Sequence, residues 1–173
     1  GNDIHAQFVE LGVKYLGLED IIHVYNQYYS FDIREKSYDV VFLMNVLHHI
    51  GDDYGNSAIT LKEAKENIIF QLNGMAEKTK YMVFQMGFNW KGNRDKGLFE
   101  NGTKEEMVEF IKEGTKECWK IVDVGVAERI SDDINYVDLN DYNRQRMDEI
   151  GEFLNRPIFI LKSIKQERKE LDC

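Results

Sequence analysis

The chain has 173 residues, a formal net charge of −9 and a pI near 5.0, which predict one folded domain at 1–173 with an acidic surface. Hydrophobic residues make up 43% and aromatic residues 12%, too many for an intrinsically disordered chain. The negative charge disfavours nucleic acid as a partner. No apolar run approaches the roughly 20 residues of a membrane-spanning helix, so no membrane association is predicted.

The first residues contain neither a basic segment nor an apolar segment of the kind that begins a secretory signal. The two cysteines, Cys118 and Cys173, lie far apart and lack metal-binding spacing. Such sparse cysteine usage is typical of a reducing compartment. We therefore expect a cytoplasmic protein.

The amino-terminal third predicts a helix followed by two strands. Apolar residues recur at helical spacing over residues 3–16, with Asp3 as a potential cap and Gly17 as a terminator. Residues 21–25 (IIHVY) read as a short buried strand. Residues 38–44 (YDVVFLM) form an apolar, β-branched run that is typical of a strand covered on both faces.

The remaining elements alternate between helix and strand. A helix is predicted over 60–76, a buried strand over 81–86, and a long loop with four glycines over 87–102. Thr103 and Glu106 form a capping box that opens the next helix. Strands are expected at 119–124 and 157–162, separated by about thirty irregular or helical residues. This order favours an α/β fold with one doubly wound sheet, its first three strands parallel and its terminal strand antiparallel.

The segment SYDVVFLMNVLHHI at 37–50 resembles the fourth-strand motif of class I S-adenosylmethionine-dependent methyltransferases. In that family an aromatic-Asp pair precedes a hydrophobic strand and a VLHH or VLEH turn. The downstream order, ending in RPIFILKS at 156–163, is similar as well. The resemblance implies a Rossmann-like methyltransferase fold with a mostly parallel sheet. It also implies S-adenosylmethionine as cofactor and methyl transfer to a small-molecule acceptor.

The sequence departs from the family at two places. The family holds its cofactor with a glycine-rich loop after the first strand, and no such sequence precedes residue 21. We therefore expect an N-terminally truncated, partial domain, with a missing N-terminal segment or a homo-oligomer in its place. The family also places an acidic residue near the adenine, where this chain has Gln27 and Tyr28. An amide and an aromatic ring are the groups expected to contact adenine instead.

Ligands in open α/β sheets bind at the carboxyl ends of the strands. By resemblance, Met44 and Asn45 contact the methionine end of the cofactor; the alternatives are a core methionine and a helix cap. His48 is the candidate catalytic residue, because its ordinary pKa near 6.5 suits proton transfer at neutral pH. Its alternatives are a group that only positions the acceptor and a histidine satisfied by the backbone. No metal ion is predicted at the adjacent histidines.

Substrate contacts are expected from two later segments. Trp90 and Lys91 lie in the glycine-flanked loop and are candidates for a lid, unless the tryptophan packs into the core. Arg144 and Arg146 are candidates for binding phosphate or carboxylate, unless they pair with neighbouring acidic residues.

The expected function is methyl transfer to a small polar acceptor that carries a sugar or a phosphate. A more distant resemblance points to capsule or surface-glycan biosynthesis, including methylation of a phosphoramidate. The alternative is a pseudo-methyltransferase or interaction module that keeps the fold without catalysis. A hydrolase is disfavoured because the chain has no Gly-x-Ser-x-Gly motif.

Overall fold

The computed structural model of the protein describes residues 4–27, 29 and 37–171. The chain divides into two compact units, residues 1–31 and residues 32–173.

The first unit contains helix α1, Ile4–Tyr15. The helix ends as predicted, because Gly17 adopts a φ of +64° that side-chain-bearing residues rarely adopt. The predicted cap Asp3 lies outside the described residues. The strand predicted at 21–25 is wrong: the N–H groups of Ile21 and Ile22 both donate to the Leu18 carbonyl and form a turn. Ile21 is 76% exposed, so this apolar run is not buried in a sheet.

Among its described residues, the second unit contains five strands and three α-helices. In chain order these are β1 (Tyr38–Met44), α2 (Leu61–Gly74), β2 (Thr79–Gln85), α3 (Lys104–Thr115), β3 (Trp119–Ile130), β4 (Asp133–Asp138), β5 (Ile158–Ser163) and α4 (Ile164–Leu171). Both α2 and α3 begin with capping boxes, in which Thr60 pairs with Glu63 and Thr103 with Glu106. The box predicted at Thr103 is therefore confirmed.

The five strands form one sheet in the order β1-β2-β5-β3-β4. β1 and β2 are parallel, whereas β5 runs antiparallel to both β2 and β3, and β4 runs antiparallel to β3. The predicted antiparallel terminal strand is confirmed. The prediction of a mostly parallel sheet is wrong, because three of the four strand pairings are antiparallel. The α/β class stands, with a mixed sheet.

Part of the difference between the observed and the predicted sheet arises between the strands predicted at 119–124 and 157–162. This segment was predicted to be irregular or helical. β3 extends to Ile130 and turns at Ser131, whose φ is +58°, into β4. The resulting hairpin adds an unpredicted strand at one edge of the sheet. Its exposed positions carry many polar residues, so its apolar pattern is weaker than that of a buried strand.

The core lies between the sheet and helices α2 and α3. Ile68 and Leu72 of α2, Phe84 of β2 and Phe159 of β5 are completely buried. The Trp119 ring is also buried, and its Nε1 donates to the Leu72 carbonyl at 3.0 Å. Phe84 and Phe159 pair with each other near the ends of β2 and β5 at which the candidate site lies, whereas Trp119 packs at the opposite end of the sheet.

Candidate functional site

Three strands bring polar residues to one edge of the sheet. Met44 ends β1 and pairs with Gln85, which ends β2, so the parallel strands finish side by side. The Asn45 N–H extends this pairing and donates to the Gln85 carbonyl at 2.7 Å. Arg156 lies just before β5, and the antiparallel direction of β5 places it at the same edge. We call this the carboxyl edge, after the ends of β1 and β2.

Asn45, Gln85, Glu152 and Arg156 form a hydrogen-bonded network at the carboxyl edge. Asn45 Nδ2 donates to Gln85 Oε1 at 2.9 Å, and Gln85 Nε2 donates to the Arg156 carbonyl at 3.0 Å. Arg156 Nη1 donates to Asn45 Oδ1 at 2.7 Å, and its Nη2 donates to Glu152 Oε1 at 2.7 Å. The network therefore links the ends of β1 and β2 to the start of β5.

Burial makes this network sensitive to the loss of any partner. The Arg156 side chain is 7% exposed, and its guanidinium stacks 4.2 Å above the Phe153 ring centroid. Asn45 adopts a φ of 60°, a left-handed conformation that asparagine tolerates better than most residues. One polar atom lacks a partner, since Arg156 Nε is buried without a hydrogen bond. An unpaired buried donor of this kind is suited to an oxygen of a ligand.

His48 lies beside the network in a 3-10 turn, Leu47–His49, that follows β1. Its Nδ1 accepts from the Gly87 N–H at 3.1 Å, which places the ring proton on Nε2. Gly87 has to be glycine, since a Cβ there would lie 2.7 Å from His48 Nε2. Burial, and then the nearby His49 and Arg156, lower the pKa of His48 to about 3.

The imidazole of His48 is therefore neutral at neutral pH. A general base at neutral pH requires a pKa near 6.5, and the buried His48 ring does not have one. A neutral ring in this position is better suited to hold a ligand group than to take up a proton. Its role in catalysis stays a prediction.

Trp90 and Lys91 pack next to the 3-10 turn but do not form a free lid. Trp90 is 9% exposed and donates from Nε1 to the Ile50 carbonyl at 2.9 Å. Lys91 Nζ donates to the Ser57 carbonyl at 3.0 Å and lies 4.7 Å from the Trp90 ring centroid. Both side chains thus hold the loop in place, in agreement with the packing alternative.

Arg144 lies between two carboxylates. Its Nη1 is 3.6 Å from Glu105 Oε1 and 3.5 Å from Asp141 Oδ1. This is the alternative in which such arginines pair with neighbouring acidic residues. Its charge is partly satisfied within the protein, which weakens its assignment to substrate.

The other predicted cofactor contacts are only partly described. Met44 ends β1 and is half-buried at the carboxyl edge. Gln27 belongs to the first unit, where its N–H donates to the Tyr25 carbonyl at 2.9 Å. Tyr28 lies outside the described residues. The adenine contacts therefore stay predictions.

One group of described side chains has the spacing of a metal site. Ligand atoms of His49, Asp52 and Asp53 lie within 4.8 Å of one another, although both aspartates are exposed. His49 Nδ1 lies 3.2 Å from Asp53 Oδ2, and exposed carboxylates often lie near a histidine without an ion. We assign no metal to this cluster.

Sequence reasoning did not single out Gln85, Glu152 and Arg156. Gln85 was included within a predicted strand, and Arg156 within the segment that resembles the family's last strand. A polar residue at the end of an otherwise apolar strand was the available signal for Gln85. No sequence signal places Arg156 beside Asn45, because 111 positions separate them.

Comparison of the chain with models of known protein families, with curated proteins and with solved structures gave no match. Across the part of the chain that the structure describes, no helix combines the length and apolar character needed to cross a bilayer.

Proposed function

We propose that the protein is a cytoplasmic methyltransferase that moves a methyl group from S-adenosylmethionine to a small polar acceptor. The observation that carries the proposal is the carboxyl edge itself. There the parallel strands β1 and β2 deliver Asn45 and Gln85 side by side, and His48 follows within one turn. Ligands of open α/β sheets bind at edges of this kind.

The donors at the carboxyl edge fit the carboxylate-bearing end of this cofactor. Arg156 has an unpaired buried Nε, and Asn45 uses only one of its two Nδ2 protons within the network. Donors that are fixed by a hydrogen-bonded network bind a carboxylate without being reordered first. When bound, the cofactor supplies an activated methyl group for direct displacement. The protein then has to align the acceptor and exclude water.

In this proposal His48 positions the acceptor and does not remove its proton. Because its pKa is about 3, the ring is neutral throughout the pH range in which enzymes of this kind are assayed. We expect the pH profile of methyl transfer to lack a limb at pH 6–7 that depends on His48. A limb in that range that disappears in His48→Asn would contradict the positioning role.

Saturation-transfer difference NMR tests cofactor binding, since it detects weak complexes. We expect S-adenosylmethionine to bind the 173-residue chain with a dissociation constant of about 1 mM or weaker, because the glycine-rich cradle is not in its sequence. Asn45→Ala should remove the transferred signal. The matched control is Asn73→Ala, whose side chain donates to the Gly114 carbonyl away from this edge.

Two outcomes would contradict the proposal as stated. Equal signals from wild type and Asn45→Ala would show that the cofactor does not use the carboxyl edge. Micromolar binding of S-adenosylmethionine by this chain would show that tight binding does not need the glycine-rich cradle. The proposed acceptor class, a sugar- or phosphate-bearing molecule of the kind found in capsules and surface glycans, is tested separately by transfer assays.

A second candidate is an interaction module that keeps the fold without catalysis. It is favoured by β1, which lies at one edge of the described sheet and leaves Val40 49% and Phe42 72% exposed. Exposed apolar strands at sheet edges favour association with another chain. Light scattering distinguishes the candidates: self-association is expected of the module, and a stable monomer of 20.3 kDa counts against it.

A further inference from the structure

Arg146 is a half-buried cation without a charged partner among the described residues. Its guanidinium carbon lies 4.9 Å from the Phe88 ring centroid, and its Nε is buried without a hydrogen bond. In the part of the chain that the structure describes, no carboxylate forms an ion pair with it. In a chain of net charge −9, a guanidinium that lacks an acidic partner is unexpected.

The position of Arg146 connects it to the carboxyl edge. Phe88, on which the guanidinium stacks, directly follows Gly87, whose N–H donates to His48 Nδ1. The Phe88 ring is 1% exposed, so it forms a rigid base under the guanidinium. Contact with this buried ring restricts the position of the guanidinium without using its N–H groups as hydrogen-bond donors.

The backbone of Gly102 lies close to the same group. A Cβ at Gly102 would lie 3.9 Å from Arg146 Nη1, and the residue's φ of +63° disfavours any side chain there. The N–H groups of the adjacent helix α3 are not available to a ligand, because those of Lys104 and Glu105 donate to the Arg144 carbonyl and that of Glu106 to Thr103 Oγ1. Of these groups, the Arg146 guanidinium is therefore the one whose donors remain available to a ligand.

We propose that Arg146 binds an oxyanion, a phosphate or carboxylate group, of the methyl acceptor. This inference rests on the proposed function for the identity of that ligand, but not for the existence of the anion site. A planar guanidinium donates two parallel hydrogen bonds to such a group, and an unpaired Nε is one of the donors that this geometry uses. Arg146, and not the already paired Arg144, is then the residue that selects an anionic acceptor.

The test is a titration of the full chain with inorganic phosphate and, separately, with acetate, followed by the arginine Nε–Hε signals in ¹⁵N NMR spectra. We expect one probe or both to shift the Arg146 signal to saturation. Stronger binding of phosphate identifies a phosphate-bearing acceptor, and stronger binding of acetate a carboxylate-bearing one. The absence of a saturable shift with either probe would overturn the proposal.

Substitutions of Arg146 and Arg144 test whether Arg146 itself binds the anion. Arg146→Gln should weaken binding by about tenfold or more, and Arg146→Lys by less, because the charge remains but the paired donors do not. The matched control Arg144→Gln should change affinity by less than about twofold. An equal loss in Arg144→Gln would overturn the assignment to Arg146.

The outcome can be separated from that of the cofactor experiment. A failed phosphate and acetate titration removes the anion site and leaves cofactor binding at Asn45 untouched. A failed cofactor experiment with a successful titration leaves an anion site at Arg146 in a protein of another function.

Discussion

Arg156 and Arg146 both stack on a phenylalanine ring near the carboxyl edge, and they differ in what their donors bind. Arg156 lies 4.2 Å from the Phe153 ring centroid and donates to Asn45 and Glu152. Arg146 lies 4.9 Å from the Phe88 ring centroid and donates to none of the described residues. An arginine thus lies over a phenylalanine ring in both places, but it has an internal partner in one place and lacks one in the other.

The difference in hydrogen-bond partners indicates a structural role for Arg156 and a binding role for Arg146. A buried charge that is paired and hydrogen-bonded holds its surroundings together, and removing it leaves its partners unsatisfied. A charge without partners contributes little to the fold, so its unpaired donors are better explained by a ligand. We therefore expect substitutions of Arg156 to affect stability and substitutions of Arg146 to affect binding.

The largest expected effect is on stability at Arg156. Arg156→Met should lower the free energy of unfolding by about 3–5 kcal/mol, because Asn45 Oδ1 and Glu152 lose their donor in a buried setting. Urea denaturation followed by circular dichroism measures this change. The matched variant Arg146→Met should stay within about 1 kcal/mol of wild type. Similar losses in both variants would break the comparison between the two arginines.

The next effect is a dependence of stability on pH through His48. Its pKa is about 6.5 in the unfolded chain and about 3 in the folded protein, so the unfolded state binds a proton first as the pH falls. Folding stability from this group is present above pH 6.5 and is lost as the pH falls towards 3, by roughly 2–4 kcal/mol.

Urea midpoints of wild type and His48→Gln between pH 7 and pH 4 measure this dependence. The variant should lose less stability over that range. His23→Gln is the control, because His23 is exposed in the first unit. Parallel curves for wild type and His48→Gln would show that the His48 ring is not held neutral.

A smaller, stabilising effect is expected at Lys104. This residue is completely buried, and its Nζ has no hydrogen-bond partner. Burial lowers its pKa, and the charge of Glu128 opposes this shift only in part. Lys104→Met should raise the free energy of unfolding by about 1–3 kcal/mol at neutral pH, because an unsatisfied charge is removed.

The dependence of the free energy of unfolding on pH tests whether Lys104 is destabilising. Since the folded protein holds the Lys104 proton less tightly than the unfolded chain, the stability of wild type should rise as the pH approaches 10.5. The advantage of Lys104→Met should shrink over the same range. A lower stability of Lys104→Met at pH 7 would indicate that Lys104 has a stabilising partner.

The smallest effect is expected at Arg144. Its ion pairs with Glu105 and Asp141 are long and partly exposed, and such pairs contribute little. Arg144→Gln should change the free energy of unfolding by less than about 0.5 kcal/mol. A loss comparable to that of Arg156→Met would mean that burial does not decide how much a paired arginine contributes to the stability of this protein.

The sequence predicted the elements that depend on local patterns. Strand β1 and the box at Thr103 follow from apolar runs and cap residues, and both were placed within one or two residues. The segment 21–25 failed because an apolar run of five residues does not specify a strand partner. Instead its first two N–H groups form a turn on Leu18. The hairpin of β3 and β4 was missed because its exposed polar positions obscure the strand pattern.

The candidate site was only partly predictable for a related reason. Asn45 and His48 follow directly from the β1 motif, so their place at the strand end was evident. Arg156 reaches Asn45 only because β5 inserts between β2 and β3 in the opposite direction. The low pKa of His48 depends on burial in the folded chain, which the residue type alone does not reveal.

Mapping of amide chemical shifts during a titration with S-adenosylmethionine tests the central claim most directly. We expect the shifts to concentrate at Asn45, His48 and Gly87, at the carboxyl edge. Amides at the opposite edge of the sheet, where Trp119 pairs with Ser163, should not move. Shifts that avoid Asn45, His48 and Gly87, or spectra that do not change even at about 20 mM cofactor, would contradict the proposal that this edge binds S-adenosylmethionine.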